Sequence, residues 1–363
     1  MDIPFLSLKA LNKPYTAELE KAFHHFLNRG FYMLSDSVRQ FESEFAAFCS
    51  APFCVGVANG LDALELIMQS MELEKGAEVI VPANTYYASI LSVLNVGLTP
   101  VLVEPDPHTF LLDPANAEKA ITGKTAAILA VNLYGKMCDY DALGTLARKY
   151  NLKLITDAAQ SHGARYKCST DCPGADAIAY SFYPTKNLGA LSDAGAVVTH
   201  HEALAQAVRA RRNYGSEVRY QFDHLGKNSR LSELQAAFLS IKLRYLDAET
   251  ERRRELAARY LSGIRNEQII LPPAETTHED AWHLFVVRTP DREKLKAYLQ
   301  GHGIGFDVHY PVPPHRQKAL AAFNHLSLPV TEEIHRTVLS LPLNGTLSDR
   351  DADRIITTLN QYA

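Results

Sequence analysis

Short runs of continuous apolar residues alternate, along the first half of the chain, with stretches in which apolar positions recur every three or four residues. After a helix predicted over 15–29 and stopped by Gly30, the runs cover 53–58, 78–83, 100–104, 126–132 and 153–156. Such alternation implies crossover units and a mostly parallel central sheet, buried on both faces because its strands are apolar throughout. Two further runs, 176–183 and 195–200, follow without a long helix between them and are expected as the sheet's remaining edge or an antiparallel member.

From Ser232 the pattern changes to one long helix, opened by a Ser232/Gln235 capping box and running through Leu239, Leu243 and Leu246. It is expected to bridge two domains. Beyond it the pattern predicts a strand over 282–288, a helix over 291–300, a strand over 306–309 and two further helices. The fold class is therefore α/β, with a large domain over 1–240 and a small α+β domain over 241–363.

Composition narrows the function by exclusion. With 363 residues, 47% apolar and 21% charged, the chain can bury a large core and a second lobe. The net charge is −4, and the basic residues are dispersed apart from Arg252, Arg253 and Arg254, which argues against a nucleic-acid or membrane-surface role. Apolar runs such as 126–131 are strand-sized, far short of the roughly 18 residues of a membrane span. Met1-Asp2-Ile3-Pro4 lacks the features of a secretion signal, so a cytoplasmic location is expected. Five scattered cysteines do not make a disulfide framework. Cys168 and Cys172 read as two thiols on a surface loop, and no metal is expected.

Four segments carry candidate chemistry. The run Lys153-Leu154-Ile155-Thr156-Asp157-Ala158-Ala159-Gln160 is an apolar strand ending in a carboxylate, and strand carboxyl ends form the ligand crevice of open α/β sheets. Asp157 can there keep a pyridinium nitrogen protonated; equally, it can cap a helix. Ser181-Phe182-Tyr183-Pro184-Thr185-Lys186-Asn187-Leu188-Gly189 carries one lysine in a turn, able to form a Schiff base if its pKa is lowered, or else simply solvated. Ser181 is placed to donate to a phosphate. In Val57-Ala58-Asn59-Gly60-Leu61-Asp62-Ala63-Leu64 a strand passes through Asn-Gly into a helix whose N-terminus favours a phosphate, although a glycine here is also a common connector. Ala83-Asn84-Thr85-Tyr86-Tyr87 puts aromatics beyond a strand end, for stacking on a flat cofactor or for core packing. In combination and order these are the parts of a pyridoxal-phosphate site.

The chain resembles the DegT and StrS family of nucleotide-sugar aminotransferases, whose fold is that of aspartate aminotransferase. The resemblance runs nearly end to end. It is carried by the segments above and by Asp193-Ala194-Gly195-Ala196, Asn213-Tyr214-Gly215, Asn228-Ser229-Arg230-Leu231-Ser232-Glu233-Leu234-Gln235-Ala236-Ala237 and His309-Tyr310-Pro311-Val312-Pro313-Pro314-His315. It implies that Lys186 anchors pyridoxal 5'-phosphate as the internal aldimine, Asp157 pairs with the ring nitrogen, Gln160 bonds the ring hydroxyl and Tyr86 stacks on the ring. Gly60 and Leu61 would offer N–H groups to the phosphate, and Ser181 its hydroxyl. Asn228 would reach the cofactor of a neighbouring subunit, which implies a homodimer with shared active sites. Two departures stand out: Leu61 replaces Thr, Ser or Met, leaving only a backbone contact, and Ser192-Asp193-Ala194-Gly195 replaces the commoner Gly-Asp-Gly-Gly, which is expected to alter packing near the lysine loop.

The resemblance further implies glutamate as amino donor and a nucleotide-linked keto-sugar as acceptor. Tyr183, Arg219, His309, Tyr310 and His315 are the expected substrate contacts, with Lys227 and Arg230 beside them; each can equally be a surface charge or a structural side chain. Gln160, where many C4 enzymes carry His, makes the chain most like the dTDP-3-keto-6-deoxyhexose 3-aminotransferases. The alternatives are a C4 keto-sugar aminotransferase and a non-catalytic pyridoxal-phosphate-binding regulator. A sugar dehydratase would carry His in place of Lys186, and a nicotinamide enzyme would need a G-x-G-x-x-G turn that the sequence lacks.

Overall fold

Each of the seven apolar runs predicted between residues 53 and 200 becomes a strand. The computed structural model describes residues 2–170, 172–273 and 278–363. In chain order the large sheet takes β1 (Phe53–Val57), β2 (Glu78–Pro82), β3 (Thr99–Val103), β4 (Thr125–Val131) and β5 (Lys153–Asp157), then, after the short β6 (Arg165–Tyr166), β7 (Ala177–Ser181) and β8 (Gly195–Thr199). Their order across the sheet is β1-β8-β7-β5-β4-β2-β3. β8 runs antiparallel to both of its neighbours, and the other pairs are parallel. The run expected over 195–200 is thus the antiparallel member, and the edge on that side is β1.

Side chains on these strands alternate between two cores, as a sheet covered on both faces requires. Ile80, Ile128, Leu154, Ile178 and Val198 enter one cluster; Val79, Val81, Leu129, Ile155 and Val197 enter the other. The short α1 (Leu8–Asn12) and α2 (Thr16–Arg29) lead into the helices that cover the sheet, α3 (Asp36–Phe48), α4 (Gly60–Ser70), α5 (Tyr87–Asn95), α7 (Tyr140–Tyr150) and α8 (Glu202–Arg211), with α6 (Pro114–Lys119) packed on α7. Gly30 ends α2 with a left-handed φ of 71°, which only glycine adopts at little cost. α4 is apolar nearly all round and lies buried from Asp62 to Met68.

The outward backbone of β1 is occupied by side chains. Arg209 donates to Cys54 O across 3.2 Å, Glu42 accepts from Gly56 N at 2.8 Å, Arg212 donates to Gly56 O at 2.6 Å, and Ser229 Oγ accepts from Ala58 N at 3.1 Å. Glu42 and Arg212 are themselves a buried ion pair.

The long helix expected from Ser232 is two helices, α9 (Glu233–Leu243) and α10 (Leu246–Gly263). The chain breaks at Arg244 and Tyr245, where the Tyr245 ring packs 5.1 Å from Tyr15 and its hydroxyl donates to Glu18. The capping box does not form. Ser232 makes no side-chain cap, and Gln235 Oε1 instead accepts from Leu191 N at 2.8 Å. Glu233 serves another helix, accepting from the N–H groups of Ser35, Ser37 and Val38 at the start of α3.

After the short β9 (His278–Glu279) come β10 (Phe285–Arg288), α11 (Arg292–Gly301), α12 (Pro329–Thr337), β11 (Val338–Leu341) and α13 (Asp349–Asn360). β10 and β11 pair antiparallel, and a third core of residues such as Tyr260, Phe285, Leu299, Leu339 and Ile355 packs around them. The strand expected over 306–309 reduces to a single bridge, Asp307 to Ser340. Pro311, Pro313 and Pro314 follow at once and cannot donate to a ladder. Of the two thiols expected on a surface loop, Cys168 is exposed but Cys172 is buried. Among the described residues no helix is long and apolar enough to cross a membrane.

Candidate active site

The carboxyl ends of the parallel strands open into a cavity of about 530 Å³. The end of β5 supplies Asp157, the end of β7 supplies Ser181, the β1–α4 turn supplies Asn59, Gly60 and Leu61, and the start of α5 supplies Tyr86. Ten residues singled out from the sequence line it: Gly60, Leu61, Tyr86, Asp157, Gln160, Ser181, Tyr183, Lys186, His309 and Tyr310.

The phosphate-sized corner is built from close approach. Asn59 caps α4, its side chain accepting from Asp62 N at 2.8 Å. Gly60 and Leu61, in the first turn, have no intrahelical partner for their N–H groups. A Cβ on Gly60 would stand 2.7 Å from Ser181 Cβ, so only glycine lets this turn lie against the end of β7. A Cβ on Gly195 would likewise stand 2.5 Å from the carbonyl of Asn59.

Asp157 is held by two donors: Ser89 Oγ at 2.7 Å to Oδ2 and Ala159 N at 3.1 Å to Oδ1. Burial still raises its pKa above the usual carboxylate range, with Ser89, Ala159 and the Lys186 charge opposing. Burial pushes the Lys186 amine down to about 8, against the pull of Asp157. The loop presenting Lys186 is closed by Lys186 N to Tyr183 O and Ala190 N to Phe182 O, each 2.8 Å. A Cβ on Gly189 would fall 2.5 Å from Pro184 O, and Lys242 of α9 donates to Gly189 O. Asn187 ties the loop to the C-terminal part of the chain, its Nδ2 donating to Ala281 O at 2.9 Å and its Oδ1 lying 3.1 Å from His283 Nδ1.

Gln160 is oriented by Tyr134 N, which donates to Oε1 at 2.6 Å, while Nε2 donates to Tyr310 Oη at 3.1 Å. The Tyr310 and Tyr86 rings are 5.3 Å apart, with Tyr86 half exposed at the cavity mouth. His309 Nδ1 meets Ser340 Oγ at 2.9 Å.

Five expected residues, His315, Arg219, Asn228, Lys227 and Arg230, lie outside the cavity lining. His315 is fully buried with Nε2 3.0 Å from Glu332, outside the cavity lining. Arg219 is exposed, its guanidinium on the ring and hydroxyl of Tyr220. Asn228 is exposed and accepts from Arg230 Nε at 2.9 Å. Lys227 pairs with Asp62 and Glu65 of α4. Conversely, the cavity contains His283 and Asp193, and depends on Ser89 and Asn187, none of which sequence patterns assigned a role. Asn187 sits beside Lys186 in the sequence; Ser89 and His283 carry no local signal.

The profile of the DegT/DnrJ/EryC1/StrS aminotransferase family matches residues 14–360. The dTDP-3-amino-3,6-dideoxy-alpha-D-galactopyranose transaminase of Aneurinibacillus thermoaerophilus is 48% identical over 360 residues, 99% of each chain. The dTDP-3-amino-3,4,6-trideoxy-alpha-D-glucose transaminase of Streptomyces venezuelae is 45% identical, over 99% of this chain and 96% of the relative. The crystal structure of S. venezuelae DesV in complex with a ketimine intermediate superposes with a TM-score of 0.97 at 45% identity, covering 99% of this chain and 98% of that one.

Proposed function

The chain belongs to the DegT/DnrJ/EryC1/StrS aminotransferase family, and from that premise we propose that it transfers an amino group from glutamate to C3 of a dTDP-linked 3-keto-6-deoxyhexose. The observation that carries the reading is the opening of the Lys186 amine and the Asp157 carboxylate into one cavity, at the ends of two adjacent strands. The two transaminases above act on 3-amino sugars linked to dTDP, which supports C3 over C4.

The residues present fit pyridoxal 5'-phosphate. Gly60 and Leu61 N–H and the Ser181 hydroxyl would hold the phosphate, in the corner that a Cβ on Gly60 would fill. Asp157 would pair with the ring nitrogen, Gln160 would bond the ring hydroxyl and Tyr86 would cover one face. When bound, the cofactor supplies a carbonyl for the incoming amine and an electron-withdrawing ring. The protein supplies the rest. Lys186, lowered to about 8 by burial, is poised near neutrality to take and return a proton at Nζ. The raised Asp157, met by a cation, would ionise and hold it. Tyr183, His309 and Tyr310 line the cavity and would orient the sugar.

Asn228, Arg219 and Arg230 lie outside the cavity lining of their own chain, as residues serving a second copy would. Beside them Tyr220, Phe222 and Leu225 expose large apolar side chains. Both features support a homodimer with shared sites, and biosynthesis of nucleotide sugars fits a cytoplasmic location. A division into two domains is supported by the separate core around α10, α11 and α13, and the break between α9 and α10 puts the boundary near 244/245, since 240/241 falls inside α9.

The test is incubation with pyridoxal phosphate, glutamate and dTDP-3-keto-6-deoxyhexose, with the product assigned by NMR. A 3-amino sugar is expected. Amination at C4, or no amination while a known 3-aminotransferase converts the same substrate, overturns the proposal.

A further inference from the structure

Asn187 determines the state of His283. Ala281 O can only accept, so the Asn187 group 2.9 Å from it is the amide NH₂, which leaves Oδ1 facing His283 Nδ1 at 3.1 Å. Two acceptors cannot bond, so Nδ1 carries the proton. Burial, together with the nearby charges of Lys186 and Arg253, holds the imidazole pKa well below its usual value, and the ring is neutral. Nε2 therefore carries a lone pair. It has no partner among the described residues, and the ring lines the same cavity as Lys186, whose ammonium also has no hydrogen-bond acceptor there.

The segment bearing His283 is fixed from several sides. Ala281 N donates to Gly135 O at 2.8 Å, and Arg253 of α10 donates to the carbonyls of Trp282 and His283 at 3.2 and 3.4 Å. Lys136 and Asp280 form a buried ion pair at its start. A rigid acceptor and a flexible three-donor cation thus line one cavity.

We propose that His283 is a positioning residue for Lys186: its Nε2 lone pair receives the ε-ammonium when the freed side chain turns from the orientation seen here, in which the two groups line one cavity without bonding. The inference rests on the aminotransferase reading above. Lysine has four rotatable bonds, and an acceptor inside the cavity gives the freed amine one resting place from which the proton it carries is returned to the reacting centre. The other titratable or charged groups coupled to this pair are Asp157 at the end of β5, His162 beyond it, His309 and Arg253. Asp157 has Ser89 and Ala159 as its donors, and His309 meets Ser340.

The tautomer is read in the unsubstituted protein by ¹⁵N NMR of the histidine rings; a His283 protonated at Nε2 overturns the proposal. The contact itself is read without turnover, from the pH dependence of Lys186 labelling by an amine-reactive reagent in cofactor-free protein. In His283→Asn the amide keeps the bond to Asn187 but removes the acceptor, and the Lys186 pKa is expected to fall by on the order of one unit. In His283→Gln, Oε1 replaces Nε2 as acceptor, and the pKa is expected to return toward the native value. No shift in the Asn variant, or equal shifts in both, overturns it. Because labelling needs no substrate, a shift in a protein that proves inactive as a transaminase would refute the functional reading alone.

Discussion

The Ser89 hydroxyl donates to Asp157 Oδ2 across 2.7 Å, from the first turns of α5 to the end of β5. Burial favours the neutral acid at Asp157, and Ser89 is the largest influence opposing it. A carboxylate that must stay ionised to hold a protonated ring nitrogen therefore depends on a serine 68 residues away.

Ser89→Ala removes that donor and is expected to raise the Asp157 pKa further. Activity needs the ionised form, which exists above this pKa, so the acidic limb of the kcat profile moves to higher pH. An acidic limb unchanged from the native enzyme would show that Ser89 is only structural.

Lys186→Ala is expected to abolish turnover, and Asp157→Asn to lower kcat by at least about 100-fold, the scale of a positioned acid–base group. Steady-state rates with saturating pyridoxal phosphate separate these losses from weaker cofactor binding. Full activity in either variant contradicts the assignment.

Gly60→Ala forces a Cβ against Ser181 at 2.7 Å. Relief of that contact is expected to cost about 1–3 kcal/mol in cofactor-free stability and to weaken pyridoxal phosphate binding. Denaturant unfolding and a cofactor titration measure the two. An unchanged midpoint together with unchanged affinity would mean that the turn can move aside.

Burial of Lys186 makes stability depend on pH in a predictable sense. Its native pKa is about 8 against an ordinary 10.5, so between these values the unfolded chain binds more protons, and stability contributed by this group rises with pH. Below pH 8 the full desolvation cost, at most about 3 kcal/mol, is present. Cofactor-free Lys186→Met is accordingly expected to be more stable than the native protein near pH 7 and to lose that advantage toward pH 10. A gap independent of pH argues against the lowered pKa.

Asp280→Ala removes the carboxylate partner of Lys136 in a site where the paired side chains are only 8% and 3% exposed. A loss of about 3–5 kcal/mol is expected, read as a fall in the denaturant midpoint. A loss below about 1 kcal/mol would show that water reaches Lys136 once its partner is gone.

The parts of the site that lie at strand ends were legible in the sequence because strand, turn and functional side chain are contiguous there. Asp157 follows its own apolar strand, Gly60 its Asn-Gly turn, and Lys186 the end of β7. Ser89 and His283 are different: each acts on a residue distant in the chain, and a serine in a helix or a histidine before a strand carries no mark of its partner. The Ser232/Gln235 pattern misled for the same reason, since tertiary contacts engage Gln235 with Leu191 and Glu233 with α3. The break at Tyr245 is likewise a packing event, its ring taken up by Tyr15. His315 illustrates the limit of resemblance, since its neighbours Tyr310 and His309 reach the cavity while its own ring faces Glu332.

The side chains of Arg209, Glu42, Arg212 and Ser229 leave the outer rim of β1 with no vacant backbone donor or acceptor at Cys54 O, Gly56 or Ala58 N. An unpaired strand rim is the usual template for runaway stacking of chains. At these positions the template is already filled by side chains of the same molecule. Another strand can pair along this rim only by first displacing those side chains.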